Sequence, residues 1–240
     1  MRQCLTWFFG RGVSIACNFK WVVPYEWKCY KRDEQILMIK KQLKIAMDSE
    51  GVNTLPYKNL LSILSTKTKP DWCHQFITTN WDYLLEREIN NLNLQVLPKW
   101  LCNSFVFHLN GTIEELPDNS NRSPFLLETD NASDRKSTVE ANIAFNKIAW
   151  QKYFVIVGVS FSCEMDKYTL AILNSVEDYL PIGESYWIAV NPDQKELDNS
   201  LRIIQGYLPR AKFYAIKKDF KEWVSSGLAE LISITGVLSS

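Results

Sequence analysis

The chain has 240 residues, and its 27 Lys and Arg balance 27 Asp and Glu, which removes any global electrostatic case for nucleic acid or a membrane surface as partner. A hydrophobic fraction of 46%, with 9 Trp, 10 Tyr and 12 Phe, is enough for the core of one α/β domain, while no apolar run approaches the ~20 residues of a membrane span. The six cysteines (Cys4, Cys17, Cys29, Cys73, Cys102, Cys163) form no Cys-x-x-Cys pair and His74 and His108 are the only histidines, so a zinc ribbon is disfavoured, a multi-histidine centre is excluded, and reduced core thiols of a cytoplasmic protein without metal are expected.

Met1–Phe9 lacks the long apolar core and cleavage site of a signal peptide. Leu5–Phe9 reads instead as a first strand that runs into Gly10-Arg11-Gly12-Val13-Ser14 and a helix-like segment. Glycines at that place let a backbone approach a pyrophosphate, although Ile15 breaks the full G-x-G-x-x-G pattern and a tight strand–helix turn is the commoner explanation of Gly-x-Gly. Phe19–Trp27, aromatic and broken by Pro24, fits a core-covering loop or a flap over a ligand. Ile36, Leu37, Ile39, Leu43 and Met47 make a helical stripe within Asp33–Met47, with Lys40, Lys41 and Lys44 on a solvated face and Gly51 as a stop. Leu60–Leu64 belongs to a further short helix.

The run starting at Phe76 reads as a buried strand, followed by Thr79, Asn80, Trp81 and Asp82, and by a helical pattern from Trp81 to Ile89. His74 precedes that strand and is taken as structural. Asn80 or Asp82 could equally be a helix cap. Leu94–Leu97 reads as a short strand ended by Pro98. Ser104–Ile113 reads as a strand into a turn, with His108 and Asn110 on one face. Residues 112–137 are the place for a small insertion or lid, and Leu116–Pro124 and Asp130–Ser137 read as loops. Thr138–Trp150 is helical. Tyr153–Ser162 is the clearest buried parallel strand, Lys167–Tyr179 a helix, and Tyr186–Pro192 another strand ending at Asn191. Leu197–Ile204, Phe213–Ile216 and Phe220–Ile234 complete the series as helix, strand and helix.

This alternation predicts an α/β, Rossmann-like, doubly wound and mostly parallel sheet in a single domain over 1–240. Five strand-like segments end in polar or glycine turns: Gly10–Ser14, Thr79–Asp82, His108–Gly111, Gly158–Ser162 and Asn191. In a parallel sheet all five converge on one edge, where such folds bind nucleotides.

The ordered motifs Gly-Arg-Gly-Val-Ser, Thr-Thr-Asn-Trp-Asp, His-Leu-Asn-Gly, Gly-Val-Ser-Phe-Ser and Val-Asn-Pro resemble the sirtuin superfamily, and within it the SIR2-like domains of bacterial antiphage defence. The resemblance runs from about residue 5 to residue 216 and implies an NAD-binding fold. By that resemblance Gly10, Gly12 and Ser14 hold the NAD pyrophosphate, Thr79, Asn80 and Asp82 lie by the nicotinamide and its ribose, Gly158 and Ser160 form a second nucleotide turn, and Asn191 faces the adenosine ribose. The four-cysteine zinc module of sirtuin deacylases has no counterpart, which disfavours protein deacylation. The family's catalytic histidine falls at Asn110, while His108 stands two residues earlier, about 6.6 Å away by strand rise.

The expectation is an NAD⁺ hydrolase that releases nicotinamide and ADP-ribose, with Asn80, Asp82, His108 and Asn110 as catalytic candidates. Asp82 would stabilise positive charge on the sugar, Asn80 would place water or the carboxamide, and His108 would be the base. The alternative is a module that binds or senses NAD or an ADP-ribose derivative without turnover. The implied partners beyond NAD⁺ are a separate sensor protein or further copies of the chain.

Overall fold

The computed structural model describes residues 2–21, 27, 29–92, 96–103, 106–113, 125–127, 129–131, 139–177 and 185–239. Among them, six strands form one sheet: β1 (Gln3–Phe9), β2 (Trp72–Thr78), β3 (Phe107–His108), β4 (Tyr153–Val157), β5 (Tyr186–Val190) and β6 (Lys212–Ile216). Every pairing is parallel, in the order β3-β2-β1-β4-β5-β6. The chain winds outward from β1 on one side and, after a long crossover, outward from β4 on the other. The strand order reverses between β1 and β4, and that is the crevice where doubly wound sheets take their ligands.

Helices cover both faces, because side chains alternate along each strand and both sets are apolar. Leu5, Trp7 and Phe9 of β1 join Val155, Val157, Ile188 and Val190 on one face. Against them pack α1 (Arg11–Ala16), α2 (Arg32–Met47), α3 (Leu55–Lys67), α4 (Leu84–Asn91), α8 (Phe220–Ser225) and α9 (Ala229–Thr235). Phe8, Ile77, Phe107, Phe154, Ile156 and Trp187 form the other face, under α5 (Val139–Ile148), α6 (Glu164–Glu177) and α7 (Gln194–Tyr207). Among the described residues no helix is long and apolar enough to cross a membrane.

Several boundaries differ from the sequence expectation. β2 starts at Trp72, so His74 lies inside the strand and not before it. The ring is accommodated because Trp7 Nε1 donates to its Nδ1 at 3.1 Å and its Nε2 meets Thr68 Oγ1 at 2.8 Å. The strand expected over Ser104–Ile113 narrows to Phe107–His108, Ser104 and Phe105 lying outside the described residues. Of Leu94–Leu97, Leu94 and Gln95 lie outside them, and Val96 and Leu97 are in no strand. The helix expected over Phe220–Ile234 is two helices, because Gly227 and Leu228 both adopt left-handed backbone, with φ of 74° and 59°. Of the proposed lid at 112–137, residues 114–124, 128 and 132–138 lie outside the described residues. Phe125, Leu126 and Leu127 are buried.

Candidate functional site

The turns after β1 and β4 meet at the switch point with no room to spare. A Cβ on Gly12 would fall 2.7 Å from Gly158 Cα, and one on Gly10 would fall 2.4 Å from Gly158 O. Gly158 also has a φ of +67°, a region L-residues rarely occupy. Gly10 N donates to Val157 O at 2.9 Å and Gly12 N to Gly158 O at 3.4 Å. The glycines therefore serve first to bring the two turns together. Three residues after Gly158, Phe161 also has a positive φ of 52°. Its buried ring packs edge-on against Trp187, and Ser160 and Ser162 join hydroxyls at 2.6 Å.

A chain of polar contacts crosses from the turn after β1 to the turn after β2. Asn80 Nδ2 donates to Gly10 O at 3.0 Å and to Ser14 Oγ at 2.8 Å. Ser14 Oγ in turn donates to Asp82 Oδ2 at 2.7 Å. Asp82 Oδ1 accepts from Leu84 N at 3.2 Å, so this carboxylate serves the start of α4 as well as the site. Asp82 is only 6% exposed. Burial pushes its pKa above the ordinary 3.8, and the hydrogen bonds from Ser14 and Leu84 and the nearby His108 partly offset that rise. The turn is held from below by Thr78, whose Oγ1 donates to Phe9 O and accepts from Asn80 N, both at 3.0 Å.

Above this chain opens a cavity of about 460 Å³, within the range of about 300–1,000 Å³ typical of small-molecule and cofactor sites. Of the candidate residues, Ser14, Thr79, Asn80, Asp82, Asn110, Gly158 and Ser160 line it. Gly10, Gly12, His108 and Asn191 are not at its wall. The two glycines lie behind it, against Gly158. Asn191 ends β5, and its Oδ1 accepts from Asp193 N at 2.9 Å, in a turn that leads into α7.

His108 is the main departure. Its side chain is fully buried, Nδ1 lies 2.9 Å from the carbonyl oxygen of Asn80, and Nε2 meets the carboxylate of Glu86. A carbonyl accepts only, so Nδ1 carries a proton, and Nε2 shares one with Glu86. Neither nitrogen faces the cavity as a base. The residue that does face it, from the turn after β3, is Asn110, whose Nδ2 donates to Thr79 O at 3.0 Å. His108 thus positions the Asn80 backbone from behind.

Sequence reasoning missed other wall residues: Arg11, Trp21, Trp27, Trp81 and Asp166. Arg11 sits between the two glycines, with its guanidinium 5.6 Å from the centre of the Trp21 ring. Trp21 packs on Trp81 at 5.6 Å, and Trp81 stacks on Phe125 at 4.8 Å while its Nε1 donates to Leu126 O at 3.1 Å. Of the two alternatives for Phe19–Trp27, the ends of that segment reach the cavity, while residues 22–26 and 28 lie outside the described residues. The available signal was an arginine inside a Gly-x-Gly turn followed by a tryptophan-rich loop. No protein-family model matches the chain, and no curated protein matches it significantly.

Proposed function

We propose that this cavity binds NAD⁺ and that the protein hydrolyses its nicotinamide–ribose bond. The observation that carries the reading is the Asn80–Ser14–Asp82 chain at the switch-point wall of a Rossmann-like sheet. Gly158, at the wall, presents backbone without a side chain to a dinucleotide, and Arg11 in the same wall suits the pyrophosphate charge. Trp21, Trp27 and Trp81 offer flat apolar surface to the nicotinamide or adenine ring.

In the reaction, the bond from the ribose to the pyridinium nitrogen breaks and its electron pair leaves with neutral nicotinamide. The sugar gains oxocarbenium character, as in other glycosidic cleavages. Asp82, buried and fixed by Ser14 and Leu84, stabilises that positive charge through space. Asn80 and Asn110 orient the carboxamide or the attacking water. Water supplies oxygen to the sugar and its proton passes to solvent. A good leaving group requires little acid catalysis, so the reaction tolerates a wall without imidazole. Chromatography of concentrated protein incubated with NAD⁺ tests this. Nicotinamide and ADP-ribose are expected in equal amounts, and their absence from folded protein that binds NAD⁺ would rule out the hydrolase.

One observation favours a second reading, a binding or sensing module. His108 is sealed behind the wall and Asn110 occupies the exposed place. Calorimetric NAD⁺ or ADP-ribose binding without product would select it. The antiphage role and a separate sensor protein or homo-oligomer belong to the same proposal and rest on the motif resemblance alone, while the cytoplasmic setting rests on the unpaired cysteines.

A further inference from the structure

At the opposite, amino-terminal edge of the sheet, Cys4, Cys73 and Cys102 come together, their sulfurs all within 4.8 Å of one another. Their sequence separations hide this. Cys4 and Cys73 are register partners on β1 and β2. Cys102 joins through the His74–Leu101 bridge, its N donating to His74 O at 2.8 Å. Cys4 and Cys73 are buried and Cys102 is half-buried. All are free thiols.

A second feature lies one row along the same face. Thr6 and Gln75 are the next inward pair in that register. Gln75 is 1% exposed, and among the described residues neither its Nε2 nor its Oε1 has a partner; Thr6 Oγ1 and Asn103 Nδ2 are likewise buried without one there. Buried polar groups of this kind ordinarily meet water or a ligand. Lys147, on α5, donates to Asn103 Oδ1 beside the thiols.

We propose that Cys4, Cys73 and Cys102 form a three-thiolate site for one zinc ion, with water as the fourth ligand beside Gln75 and Asn103. Zinc–thiolate bonds of about 2.3 Å set sulfurs roughly 3.8 Å apart in a tetrahedron, so the trio need close by only about 1 Å. Thiolates select soft or borderline ions over magnesium and calcium. Three thiolates around a divalent ion carry one net negative charge, which Lys147 balances, whereas a monovalent copper ion would leave a second charge uncompensated in a buried place. Because the ligands are thiolates, binding releases the protons of all three thiols. The site is independent of the NAD⁺ proposal.

The test uses the full chain, reduced and stripped with a chelator, with Co²⁺ as optical probe and Zn²⁺ as competitor. One Co²⁺ per chain is expected, with a sulfur-to-cobalt charge-transfer band and tetrahedral d–d bands that Zn²⁺ abolishes. Cys102→Ser, at the half-buried position, is expected to weaken binding at least about tenfold, and Cys29→Ser, at an exposed position, to leave it unchanged. Circular dichroism confirms that each variant is folded. Should Cys102→Ser not fold, the wild-type thermal midpoint must rise with Zn²⁺ and not with Mg²⁺. No charge-transfer band in the reduced, folded wild type, an undiminished band in folded Cys102→Ser, or a Cys4–Cys73 disulfide resistant to mild reductant would each overturn the site.

Discussion

The Ser14 hydroxyl donates to the Asp82 carboxylate at 2.7 Å, although 68 positions separate the two in the chain. This one contact ties the turn after β1 to the turn after β2, and it also receives Asn80 at 2.8 Å. Replacing Ser14 by Ala leaves a buried carboxylate oxygen and an amide without their shared partner. A buried acceptor stripped of its donor costs about 1–3 kcal/mol. Urea unfolding of Ser14→Ala should show a loss in that range, with NAD⁺ affinity reduced at least about tenfold.

Gly158→Ala should be worse for the fold. The new Cβ would sit 2.5 Å from Gly12 Cα and 2.6 Å from Gly12 N, at a φ of +67°. The left-handed conformation alone costs about 1–2 kcal/mol for an L-residue, and the neighbouring atoms are backbone that cannot swing away. Denaturant unfolding is expected to show a loss above about 2 kcal/mol. Gly206→Ala, where an added Cβ meets nothing within 4 Å, is the control and should be neutral or slightly stabilising, because it lies inside α7.

Two buried titratable groups, His74 and Asp82, give opposite pH dependences. Burial lowers the His74 pKa from 6.5 to about 3, so between those values the unfolded chain holds a proton that the folded one does not. Its contribution to stability is full above pH 6.5 and is lost as pH falls toward 3. The advantage of wild type over His74→Gln should therefore shrink on acidification by up to about 1.4 kcal/mol per pH unit. Urea midpoints between pH 3.5 and 7 measure this.

Asp82 runs the other way. Burial raises its pKa above 3.8, so as pH rises past 3.8 the unfolded chain releases its proton first and the fold loses stability until the raised pKa is passed. Asp82→Asn should gain stability relative to wild type as pH climbs through that window. A difference that stays flat from pH 3.5 upward would mean that burial does not burden this carboxylate.

The alternation of strands and helices was legible because fully buried parallel strands such as Tyr153–Val157 read as unbroken apolar runs. The wall residues Asn80, Asp82 and Gly158 were legible because they follow such runs directly. The start of β2 was not, since His74 and Gln75 are polar and only the Trp7 and Thr68 contacts show that a ring belongs inside. The role of His108 was misplaced for a related reason. Alternation puts it on one face with Asn110, but β3 ends at His108, and Asn110 turns to meet Thr79 O while the ring is sealed by Glu86. The cysteine trio is a product of register, which spacing along the chain does not express.

His108→Gln and Asn110→Ala separate position from chemistry. Because His108 touches the Asn80 backbone from behind the wall, His108→Gln should shift the unfolding midpoint and affect NAD⁺ turnover only through weaker binding. Asn110→Ala, at the wall, should lower turnover or affinity with little change in stability. A solvent-facing base would give the reverse: loss of kcat in His108→Gln at unchanged affinity and stability.

Isothermal titration of NAD⁺ into the full chain, beside Asn80→Ala, addresses the dinucleotide site most directly. The expected result is saturable one-to-one binding to wild type, weakened at least about tenfold, or 1.4 kcal/mol, in an Asn80→Ala protein that circular dichroism shows to be folded. Absence of heat and of any thermal stabilisation at millimolar NAD⁺, or equal affinity in the two proteins, would contradict an NAD⁺ pocket built on Asn80, Ser14 and Asp82.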